Sequence, residues 1–65
     1  MNAKFDFEAM MLKGLVFHYA QELAEAYQAQ DGDRVQEIKA YIEGNYGRPA
    51  LLHIAELAVT LVMNL

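Results

Sequence analysis

The sequence predicts an all-α chain, with three helices assembling as a homodimeric helical bundle. Three observations lead there. Apolar residues recur at helical spacing through most of the chain. Two turn signals, in QAQDGDRVQ and in IEGNYGRPA, divide it into three such stretches. The last stretch, LLHIAELAVTLVMNL, is apolar over nearly its whole circumference. No strand-like alternation, internal repeat or low-complexity tract interrupts this pattern, and residues 1–65 read as one domain.

The first helix is expected from about residue 6 to 30. Leu12, Leu15, Val16, Tyr19, Ala20, Leu23, Ala26 and Tyr27 share one broad face at 100° per residue, with Phe17 and Ala24 at its border. His18, Gln21, Glu22, Glu25 and Gln28 collect opposite. Gly14 interrupts this face and marks a kink, a close helix crossing or the true start of the helix. Phe7, Met10 and Met11 lie outside the main face, and an apolar cluster left over in this way is a possible partner surface. Methionine and aromatic residues at helical spacing are more often plain core, so packing across a dimer competes with a foreign partner.

Asp31-Gly32 supplies the first turn. Asp33 is positioned to cap the second helix, with Gln36 three residues on completing a capping-box pattern. That helix, about 34–43, carries a narrow stripe of Val35, Ile38, Tyr41 and Ile42. Gly44 or Asn45 is expected to end it in the left-handed conformation, and Pro49 suits the first turn of the third helix, about 49–65.

The third helix predicts how the chain assembles. His53, Glu56, Thr60 and Asn64 fall within about 80° of arc on an ideal helix, leaving about 280° apolar. Two neighbouring helices cover about half of a circumference, so large side chains are left over, each forgoing roughly 1.5–3 kcal/mol of burial. Closed two-fold pairing is the commonest way to cover such a surface. The expected interface is Leu51, Ile54, Leu57, Ala58, Leu61, Val62 and Leu65.

Composition supports a partner. Sixty-five residues bury only about 60% of the surface that the unfolded chain exposes, and small scaffolds usually add a disulfide, a metal or another subunit. Cysteine is absent, which removes disulfides and thiolate metal sites and fits a reducing compartment. Hydrophobic residues make up 55% of the chain, ample for a core. The net charge is −4, and Lys4, Lys13, Arg34, Lys39 and Arg48 are scattered, which disfavours nucleic-acid binding. The opening residues carry Asp6, Glu8 and Lys13 where a signal peptide needs a continuous apolar run. The final apolar run is shorter than the roughly 20 residues of a bilayer span. A cytoplasmic protein is the expectation.

Candidate chemistry is sparse. His18 with Glu22, and His53 with Glu56, are the only residues resembling helical metal pairs, and bundle metal sites use such residues on facing helices. The order His-x-x-Glu is the reverse of the usual Glu-x-x-His, and His18 and Glu22 lie on a face assigned to solvent, so exposed contacts are the preferred reading. Serine is absent, and Thr60 stands two turns from His53, too far for a hydroxyl–imidazole pair within one helix. GNYGRP lacks the strand context and the lysine of a phosphate loop. A DNA-reading helix-turn-helix would present leucines to the groove and is rejected. Membrane-surface association lacks the basic polar face it normally needs. The expected function is therefore protein–protein interaction as an adaptor, regulator or inhibitor, with no catalytic chemistry and no cofactor. A minimal metal-binding bundle or enzyme using the histidine–glutamate pairs is the alternative.

Overall fold

In a computed structural model, residues 14–64 are described, and they form three helices with no strand among them. Helix α1 spans Leu15–Gln28, α2 spans Gly32–Tyr46 and α3 spans Arg48–Met63. Each helix packs on both others, and the α1–α3 contact is the most extensive.

Gly14 settles the start of α1. Its φ of 71° lies in the left-handed region, which costs glycine nothing and breaks a right-handed helix. Helix α1 therefore begins after Gly14, and residues 6–13 of the expected helix lie outside the described residues. The other end stops at Gln28, two residues early. The Ala29 N–H still reaches the Glu25 carbonyl at 2.9 Å, and Gln30 at φ 57° turns the chain.

Both ends of α2 differ from expectation. The N-cap is Asp31, whose Oδ1 accepts a hydrogen bond from the Arg34 N–H at 3.1 Å, while Asp33 sits inside the first turn. Either aspartate can cap, and the one directly after the left-handed Gln30 is placed to do so. The C-terminus runs past Gly44 and Asn45 to Tyr46, and within this last turn Asn45 Nδ2 donates to the Tyr41 carbonyl at 2.8 Å. Gly47, at φ 93°, makes the break instead. Pro49 then lies in the first turn of α3, where its missing N–H has no partner to lose.

The core is narrow. Val16 and Leu23 of α1, Val35, Ile38 and Ile42 of α2, and Leu51 and Ile54 of α3 supply its larger side chains. The rest is alanine: Ala20, Ala24 and Ala26 from α1, Ala50 and Ala58 from α3. Short side chains let helix axes approach closely. That suits α1 and α3, which contribute every one of these alanines. A core of few large side chains leaves others on the surface. Phe17, assigned to the border of the α1 face, is 51% exposed, and Tyr41, assigned to the α2 stripe, is 53% exposed.

Candidate functional site

Helix α3 shows best what the fold leaves uncovered. Leu51, Ile54 and Ala58, expected in a subunit interface, are buried within a single chain's own core. Leu57, Leu61 and Val62 are half-buried against the same core, and Leu65 lies outside the described residues. The large apolar side chains that stay in solvent on this helix are Leu52, Val59 and Met63. Spaced by seven and four residues, they fall within about 40° of arc and form a stripe about 16 Å long. Glu56, one turn beyond Leu52, borders it, and His53, Thr60 and Asn64 continue as an exposed polar strip. The outer face of α3 is thus half apolar and half polar.

These three residues were not singled out in the sequence, although one signal was present. Ala50 and Ala58 lie on the same side as Ile54, and small residues mark where a neighbouring helix comes closest. The arc opposite them holds Leu52 and Met63.

A second feature is an open groove of about 360 Å³ between α1 and α2, lined by His18, Tyr19, Glu22, Arg34, Glu37, Ile38 and Tyr41. Its histidine and charged side chains lie in two neighbouring pairs. His18 Nε2 lies 3.3 Å from Glu22, a pair that is ionic only when the imidazole is protonated, and Arg34 lies 3.6 Å from Glu37. Pairs this exposed contribute little to stability. Beside them, the Tyr19 ring packs 5.9 Å from the rings of both Tyr41 and Tyr46, and 5.3 Å from His18. The Tyr19 phenol is held above its usual range, first by lost hydration and then by hydrogen bonding with Tyr46 and Tyr41. This tyrosine cluster joins α1 to the end of α2.

The metal candidates are kept in separate places. His18 and Glu22 touch on α1, while His53 and Glu56 are exposed on α3. Among the described residues, no three histidine or acidic side chains come together as a metal-holding group. Thr60, the sole side-chain hydroxyl besides the tyrosines, donates to the Glu56 carbonyl at 3.1 Å. Phe7, Met10 and Met11, the expected partner surface, lie outside the described residues. No helix of the described residues is long and apolar enough to cross a membrane. Comparison with protein-family models, with curated proteins and with solved structures gave no match.

Proposed function

We propose that this chain acts in the cytoplasm through protein–protein interaction, as a self-associating adaptor, regulator or inhibitor without catalytic chemistry of its own. One observation carries the reading. The fold buries the alanines of α1 and α3 while leaving Leu52, Val59 and Met63 aligned in solvent along one helix. A small acidic protein gains stability and solubility by covering such a stripe. The first partner is a second copy, which brings an identical stripe and closes the assembly by a two-fold axis.

The face offered to that copy is centred on Leu52, Val59 and Met63, flanked by half-buried Val62 and Ala55, because Leu51, Ile54 and Ala58 are already occupied within the chain. A stripe this short is small beside the roughly 1,000 Å² that marks a stable interface, so the self-association is weak and exchangeable. Weak self-pairing suits a surface that a foreign apolar helix can also take. Sedimentation velocity over a concentration series tests this. The sedimentation coefficient should climb as the chain is concentrated toward about 1 mM, the range where weak pairs form. A constant single-chain value throughout would remove the self-associating part of the reading.

A further inference from the structure

We draw no further inference here: the strongest candidate, the exposed apolar stripe of Leu52, Val59 and Met63 along α3, belongs to the surface already described, and nothing in the structure shows what else covers it.

Discussion

Replacing Leu52, Val59 and Met63 together by glutamine should abolish self-association and leave the fold standing. The magnitudes follow from exposure. Leu52 is 58% exposed, Val59 46% and Met63 79%. Full burial of such side chains is worth roughly 1.5–3 kcal/mol each, so covering what remains wet yields about 3–5 kcal/mol per chain and twice that for a pair. Association costs roughly 4–15 kcal/mol in lost freedom, which consumes most of this gain. At the low end of that cost about 2–6 kcal/mol remains, and the middle of that range corresponds to a dissociation constant of about 1 mM. Glutamine removes the gain, since its amide has little to recover by leaving water. It costs the helix almost nothing, because its intrinsic helix propensity matches that of leucine and methionine and exceeds that of valine. Exposed substitutions of this kind usually stay within about 0.5 kcal/mol each. Circular dichroism on dilute samples should therefore show unchanged helix content and a melting temperature within about 10 °C of the parent. Sedimentation at about 1 mM should show the parent associating and the variant not. A variant that melts far lower when dilute would mean that the stripe is packed within one chain. One that associates as well as its parent would place the contact elsewhere. Either result refutes the reasoning.

Other outcomes follow from the same structure. Ile54→Ala, at a fully buried position, should cost about 2–5 kcal/mol in thermal or urea unfolding, a large share of the roughly 3–10 kcal/mol available to a chain this size. Ala58→Glu places an unpaired charge in the same core and should leave little folded protein by circular dichroism at any concentration. Replacing His53 and Glu56 together by alanine should preserve folding, since both are exposed; a melting temperature that zinc raises in the parent but not in the variant would reveal a metal site. Tyr19 should make the fold sensitive to alkali. Its folded pKa is raised, so its contribution is complete below the unfolded value of about 10 and declines as pH rises above it, where the unfolded phenol ionises first. Melting temperatures across that range should fall more steeply for the parent than for Tyr19→Phe, and equal slopes would show that Tyr19 is not the group responsible.

How far the sequence reveals the fold depends on which physical signal each part carries. The α2 stripe of Val35, Ile38 and Ile42 was legible, because a single buried arc is what period-3.6 patterning reports. The polar strip of His53, Glu56 and Thr60 on α3 was legible for the same reason, and it is exposed. Pro49 marked the start of α3 within a residue, since few other places tolerate it. Periodicity was silent on which part of the remaining apolar arc faces α1 and α2. Leu51 and Leu52 are chemically alike, yet Leu51, on the side of the helix that carries Ile54 and Ala58, is buried and Leu52 is exposed. The choice of cap was equally local. Asp31 and Asp33 have the same side chain, and the left-handed Gln30 before Asp31 decides between them. Asn45 has the side chain of a helix terminator because it tolerates left-handed backbone, but here it stays helical and donates to the Tyr41 carbonyl. For the candidate site, the sequence assigned an interface to the third helix, and three of the residues named for it, Leu51, Ile54 and Ala58, are buried within the chain's own core.

Self-pairing through the exposed arc of α3 is the central claim, and an isotope-filtered NOE experiment on mixed labelled and unlabelled chains at about 1 mM tests it most directly. Methyl groups distinguish the residues involved. Intermolecular cross-peaks should connect the methyls of Leu52, Val59 and Met63 to one another across the two copies, with none from fully buried Ile54. An absence of intermolecular cross-peaks, or cross-peaks centred on Phe17 and Tyr41, would contradict it.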